Sequence, residues 1–243
     1  KENNWAPVIQ FAPMALQWVD LSKELDSYAV IAFVLAHAYE ETGQLEEAID
    51  KGYQKIIRTI EERKAIYSAF DDYTTALYYT GVNYTRLKEY EKARKVFEKL
   101  INFMSDSVNE NKVNEGTIQK MNQTFTLVLC RLSEIYTRLS YRDSSLIDSA
   151  LEFIGQAAQI SPSDSNVLWY QGCIYFAQAD SNQPEKMREA LEYMEKAIAG
   201  GFPLLEANIL IPGYEALACA YYKRGDKEAA AKAHGRSVAF VEE

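Results

Sequence analysis

The 243-residue chain holds 26 basic and 35 acidic side chains, a formal charge of -9, and 48% hydrophobic residues. This much apolar material supports a buried core and rules out an intrinsically disordered chain. The acidic balance, uninterrupted by any basic stretch, argues against binding to a nucleic-acid backbone and disfavours an anionic membrane surface.

Apolar residues recur at helical spacing and strand-like alternation is nearly absent, so an all-α fold is expected. Residues 1 to 12, with Pro7 among them, read as too short and interrupted to supply the first helix of a matching pair. Ala15–Asp26 reads as the second helix of a helix pair, which places a leading half-repeat or capping helix at 13–26. Five helix pairs follow, roughly at 27–70, 71–104, 117–162, 163–201 and 204–241, all within a single domain spanning 1–243. Glu61 to Phe70 is expected to lengthen the second helix of the first pair, and Ser105 to Gly116 reads as a polar loop. The series Ile118, Met121, Phe125, Leu129, Leu132, Ile135 and Leu139 advances by three or four residues each time, marking one long helix. Tyr141 to Leu146 and Asp180 to Glu185 are rich in turn-forming residues and read as inserts between paired helices. The last helix, about Lys227 to Val241, ends on Val238, Phe240 and Val241 with no polar helix after it. That end is expected to meet another subunit, a partner or a further segment.

One local pattern returns along the chain. A small residue stands three before a tyrosine in Ala36/Tyr39, Gly81/Tyr84, Ser133/Tyr136, Gly172/Tyr175 and Ala218/Tyr221. An alanine follows in the next helix, at Ala48, Ala93, Ala150, Ala190 and Ala230, nine residues after the tyrosine in three of the units. An unrelated bundle with tyrosines by chance would not keep five copies in register. The pattern resembles the tetratricopeptide repeat, W-x2-L-G-x2-Y then A-x3-F then P. Leu77, Gly81, Tyr84, Ala93 and Phe97 match one unit closely; Leu129, Leu132, Tyr136, Ala150, Ala157 and Pro162 match another; Leu168, Gly172, Tyr175, Ala190 and Ala197 match a third. The resemblance implies an α-α superhelix, or solenoid, of about five units plus the half-repeat. Tyrosine spacings of 45, 52, 39 and 46 residues depart from the 34-residue ideal, so the units are irregular.

The resemblance also implies an inner face lined by four positions of each first helix. Counting from the tyrosines gives Val30, Phe33, His37 and Glu40; Thr75, Tyr78, Val82 and Thr85; Leu127, Cys130, Glu134 and Thr137; Asn166, Trp169, Cys173 and Phe176; and Pro212, Glu215, Cys219 and Tyr222. From these the candidate ligand groove is Phe33, His37, Tyr78, Val82, Leu127, Cys130, Glu134, Trp169, Cys173, Phe176, Glu215, Cys219 and Tyr222, an apolar and aromatic set suited to peptide anchors. Some relatives clamp acidic chaperone tails with Lys and Asn at the fifth and ninth positions. The residues at those places here are of other kinds, so that clamp is missing.

Chemistry-bearing motifs are sparse. There is no HExxH, nucleophile elbow, P-loop or GxGxxG. Cys130, Cys173 and Cys219 form neither a disulfide framework nor a metal knuckle. His37 and the nearest cysteine lie about two repeats apart, too far for a dyad, and His234 reads as a packing residue. Asp71-Asp72 before a helix suits dipole complementation better than acid–base work. No catalytic residue, metal or cofactor is expected. The longest apolar stretch, Ala29 to Ala38, is too short to cross a bilayer.

The leading function is a non-catalytic interaction scaffold that holds a peptide or helical segment of a protein partner, with self-association through the terminal repeats as a further expectation. A second reading is a soluble repeat domain of a larger bacterial membrane-associated enzyme or transport component; it rests on the lysine at position 1 and the half-repeat. A third is a small-molecule or lipid carrier. Compartment is left open between cytoplasmic and periplasmic or exported.

Overall fold

In the computed structural model, residues 4–21, 23–179, 184–201 and 207–242 are described. The ordered segments among them are helical, and they fall into two compact units, residues 1–118 and 119–243.

The leading helix, α1, covers Ala6–Trp18 instead of 13–26. Pro7 stands in its first turn, where a missing N–H costs nothing and the fixed φ favours a start. The proline therefore begins the helix that it was expected to interrupt. Past Trp18 the chain is extended at Val19, and the carbonyl of Asp20 then accepts from both the Lys23 and Glu24 amides at 2.9 Å. That turn separates α1 from α2, Leu25–Glu41.

Helix α2 pairs with one continuous helical run: α3 (Leu45–Glu47), a π-helical stretch (Ala48–Tyr53) and α4 (Gln54–Glu62). The link turns at Gly43, whose φ of 73° favours glycine. A methyl group on Gly52 would lie 2.4 Å from Cβ of Ala36, so the two helices cross nearly backbone to backbone. The run stops at Glu62 and is not lengthened toward Phe70. The Lys64 and Ala65 amides fold back onto the Glu61 and Ile60 carbonyls, with Lys64 in the left-handed region at φ 55°. Such a closure satisfies the last carbonyls and ends the helix.

The second pair is α5 (Phe70–Arg86) and α6 (Tyr90–Asn109). Helix α6 continues through part of the expected loop at 105–116. Its last turns bury Met104 and Ser107, and the Ser107 hydroxyl donates back to the Phe103 carbonyl at 2.6 Å. Polar composition suggested a loop; one buried thioether and a self-satisfied serine make it helix. Leu35, Ala36, Ile56, Ile60, Leu77 and Phe97 form the core of this unit.

In the second unit α7 (Glu115–Ser140) pairs with α8 (Ile147–Ile160) across a turn containing a 3-10 segment, Ser144–Leu146, capped by Asp143. Helix α9 (Ser165–Gln178) is capped by the Asp164 carboxylate, which accepts from the Asn166 and Val167 amides. It pairs with α10 (Pro184–Ala199); most of the expected insert at Asp180–Glu185 lies outside the described residues. The last pair is α11 (Ala207–Arg224) and α12 (Lys227–Glu242), joined at Gly225 with φ 87°. Val238 on α12 is 44% exposed, while the side chains of Phe240 and Val241 lie outside the described residues. The core is built from Leu129, Leu132, Ile135, Ile154, Trp169, Tyr170 and Met194.

The small positions act as the pattern requires. Gly81 faces the ring of Phe97, where an added methyl would be 2.6 Å from Cζ, and Gly172 faces Cγ of Met194 at 2.5 Å. Close approach of paired helices at glycine or alanine, filled by the facing side chain, is the shared packing unit of both halves.

Candidate binding cleft

The first helices of the last three pairs, α7, α9 and α11, together bound a cleft of about 330 Å³ in the second unit. Its walls carry Glu134, Thr137 and Arg138 from α7, Cys173, Ile174 and Phe176 from α9, and Glu215 from α11, with Tyr141 at one end. Tyr141 is 77% exposed, so its ring is offered to solvent instead of the core.

One charged knot stiffens the wall. The buried carboxylate of Glu134 accepts from Nε of Arg138 at 2.9 Å and from the Tyr170 hydroxyl at 3.4 Å, with a guanidinium nitrogen of Arg131 at 3.6 Å. A buried carboxylate with this many partners is held in place. Beside it, burial pushes the Cys173 thiol up to about 12; the Glu134 charge adds to the rise and Arg138 opposes it. The thiol is therefore protonated at neutral pH and is a soft apolar surface, not a nucleophile. Burial raises the Cys130 thiol as well. No group of three His, Cys, Asp or Glu suited to a metal ion occurs among the described residues.

The first unit has a related knot. Glu40 on α2 accepts hydrogen bonds from the Asn83 side-chain amide and from the Tyr53 hydroxyl, and Arg86 donates to Oδ1 of Asn83 at 3.3 Å. Burial, and then Glu40, drive the Tyr53 phenol far above its ordinary value. Over this knot the rings of Phe33, Tyr53 and Tyr79 form a series, with centroids 6.1 and 5.6 Å apart.

The family comparison agrees with this helix pairing: the family model for the tetratricopeptide repeat matches residues 75–103, which hold α6 up to Phe103 and most of α5. One tetratricopeptide repeat is matched there. Solved structures with the same fold include BtubC (BKLC) from P. vanneervenii, 16% identical, covering 99% of this chain and 92% of that one at TM-score 0.64. TTC0263, a thermophilic tetratricopeptide repeat protein of Thermus thermophilus, is 15% identical over 88% of this chain and 92% of its own, at TM-score 0.55. MamA from residue 41 onward, from Desulfovibrio magneticus RS-1, is 15% identical over 88% and 95%, at TM-score 0.51. No curated protein sequence matches the chain. These likenesses establish the fold: an all-α solenoid of irregular tetratricopeptide repeats.

Within this repeat fold, Glu134, Cys173, Phe176 and Glu215 meet around the cleft between α7, α9 and α11. Cys219 and Tyr222 are exposed on α11 but do not line it. Trp169 is wholly buried against Gly213 and Tyr214, and Cys130 and Val82 are buried in helix packing, so none of the three offers a surface to a ligand. Leu127 is half-buried on α7. Phe33 is half-buried against Tyr53, and exposed His37 lies edge-on to Trp5 with centroids 5.2 Å apart, within reach of Glu40 and Glu41. Tyr78 packs against Phe97 and Tyr79, and it is Tyr79 that is the more exposed ring, at 41%.

Position counting missed Arg138, Tyr141 and Tyr170 in the second unit, and Tyr53 and Tyr79 in the first. Arg138 had a readable signal, since it stands one helical turn after Glu134. Tyr141 follows the last turn of α7, where no repeat position exists to be counted.

Proposed function

We propose that the chain is a non-catalytic interaction scaffold whose second unit holds a peptide or helical segment of a protein partner in the cleft between α7, α9 and α11. The single observation supporting this reading is that first helices from three successive repeats contribute to one concave site, with both apolar and charged groups on its walls. Phe176, Ile174 and Ala177 supply an apolar floor, and Tyr141 an exposed ring that loses little entropy on contact. Glu134 is already neutralised by Arg138 and Arg131. Glu215 is exposed and has no ion-pair partner among the described residues, so the partner segment carries an apolar anchor next to a lysine or arginine.

The test is capture of partners by the full chain against a Tyr141→Ala/Phe176→Ala variant, with Tyr222→Ala as the exposed control outside the cleft. The partner retained by the wild type is expected to be lost roughly tenfold or more in the double variant and kept by the control. Equal capture by all three proteins would refute cleft binding.

A further inference from the structure

Helix α11 divides two cavities. It lends Gly213, Glu215 and Ala216 to the cleft above, and Tyr214, Leu217 and Tyr221, spaced as one helical face, to a second cavity of about 360 Å³. The second cavity lies among α10, α11 and α12. Its body is apolar: Ile198 from α10, Tyr214 and Leu217 from α11, Ala229 and Ala233 from α12. The polar tip of Tyr221 is already used, because its hydroxyl donates to Oε1 of Glu195 at 2.9 Å.

The edge of this cavity is cationic. Lys232 and Arg236, one turn apart on α12, both line it, and neither has an anionic partner among the described residues. Some other cations of the chain face a carboxylate, as Lys92 does Glu89, Arg94 Glu91 and Lys99 Glu61. In a protein of net charge -9, two unpaired cations beside an apolar hole leave an unmet demand for a negative group. Arg236 acts on the cavity interior as well, since its charge opposes the rise that burial imposes on the Tyr214 phenol.

We infer that this cavity is a binding site for a small amphiphilic carboxylate, with a short alkyl chain among Ile198, Leu217 and Ala233 and the carboxylate between Lys232 and Arg236. The volume falls within the small-molecule range of roughly 300–1,000 Å³, and apolar walls with a few convergent polar groups are the usual build of such sites. A guanidinium and an ammonium together offer the carboxylate charge-assisted hydrogen bonds. An uncharged alcohol of equal length keeps the apolar contact and loses the ion pairs, so the head group decides affinity.

The test is calorimetric titration of the full chain with sodium octanoate, octan-1-ol and octylamine. Octanoate is expected to bind at one site. Octanol, and octanoate on a Lys232→Ala/Arg236→Ala variant, are expected to bind on the order of tenfold more weakly or worse, and octylamine not at all. Both substituted residues are exposed, and unchanged thermal unfolding of the variant shows that the fold is kept. No saturable octanoate binding to the wild type overturns the inference, as does equal binding of octanol or of the variant. Binding that survives Lys232→Ala/Arg236→Ala and is lost in Phe176→Ala belongs to the concave cleft and overturns it too. Because the scaffold reading rests on Tyr141 and Phe176, either proposal can fail without the other.

Discussion

Trp169 on α9 occupies the space that a side chain on Gly213 of α11 would need: a methyl there would lie 2.4 Å from Cζ2 of the indole. The ring is wholly buried and also touches Tyr214, with centroids 5.0 Å apart. Gly213→Ala is therefore expected to destabilise the protein by about 1–3 kcal/mol through overpacking, read as a lower urea midpoint. The indole N–H has no hydrogen-bond partner among the described residues, so Trp169→Phe removes packing volume and none of the hydrogen bonds described. It is expected to cost clearly less than the roughly 3–5 kcal/mol of Trp169→Ala.

Glycines that face open space should behave in the opposite sense. An added methyl at Gly155 in α8 or Gly235 in α12 meets nothing within 4 Å, and both residues lie inside helices. Alanine at either place is expected to stabilise by about 0.5–1 kcal/mol through lower backbone entropy in the unfolded chain. Gly52→Ala, aimed at the Cβ and backbone of Ala36, is expected to be the most damaging of the glycine series in the first unit. Thermal unfolding of the variants side by side gives the order.

Glu61 ties α4 to the second pair. Its carboxylate accepts from Nζ of Lys99 and from the Tyr73 hydroxyl, both at 2.7 Å. Burial pushes this carboxyl up, but the hydrogen bonds from Lys99 and Tyr73 outweigh it, and the group ionises below its ordinary 4.5. A carboxyl depressed in the folded state contributes stability above its unfolded pKa and loses it as pH falls through the folded value. Glu61→Gln is expected to lower the melting temperature at pH 7, with the gap to wild type closing below pH 4.5. A gap that persists undiminished in acid would contradict this.

The three cysteines should separate by reactivity. Cys130 is buried and Cys173 half-buried, with burial raising both thiols, whereas Cys219 is exposed on α11. A disulfide reagent at neutral pH is expected to label one thiol per chain quickly, and Cys219→Ser to abolish that phase. Unfolding in guanidinium should release the other two.

Removal of Glu134 tests the knot in the cleft wall. Glu134→Ala removes a carboxylate from beside the buried guanidinium of Arg131 and from Nε of Arg138. Breaking a buried pair from one side is expected to cost about 3 kcal/mol in urea unfolding. Arg138→Ala, acting on a half-exposed partner, is expected to cost about 1 kcal/mol or less.

Much of the fold was already legible in the order of residues. Tyr39, Tyr84, Tyr136, Tyr175 and Tyr221, each with a small residue three before it and an alanine in the next helix, specify helix pairs that close at contacts such as Gly81 on Phe97. Those are local demands of volume and helical period, so a linear pattern carries them. Helix ends were less legible. Pro7 starts α1, Lys64 ends α4 in a left-handed turn, and Met104 draws α6 into a polar stretch, because capping and burial outweigh composition there.

Facing was decided by tertiary structure alone. Counting along a helix sets how far a residue lies from its tyrosine, but its direction depends on how neighbouring helices cross. Trp169 points into the core because Gly213 leaves it room, Tyr79 is more exposed than Tyr78, and Arg138 and Tyr141 complete a cleft with Phe176 and Glu215. The repeat pattern in the sequence thus determined which helices pair, while the crossing of those pairs chose which side chains a ligand can reach.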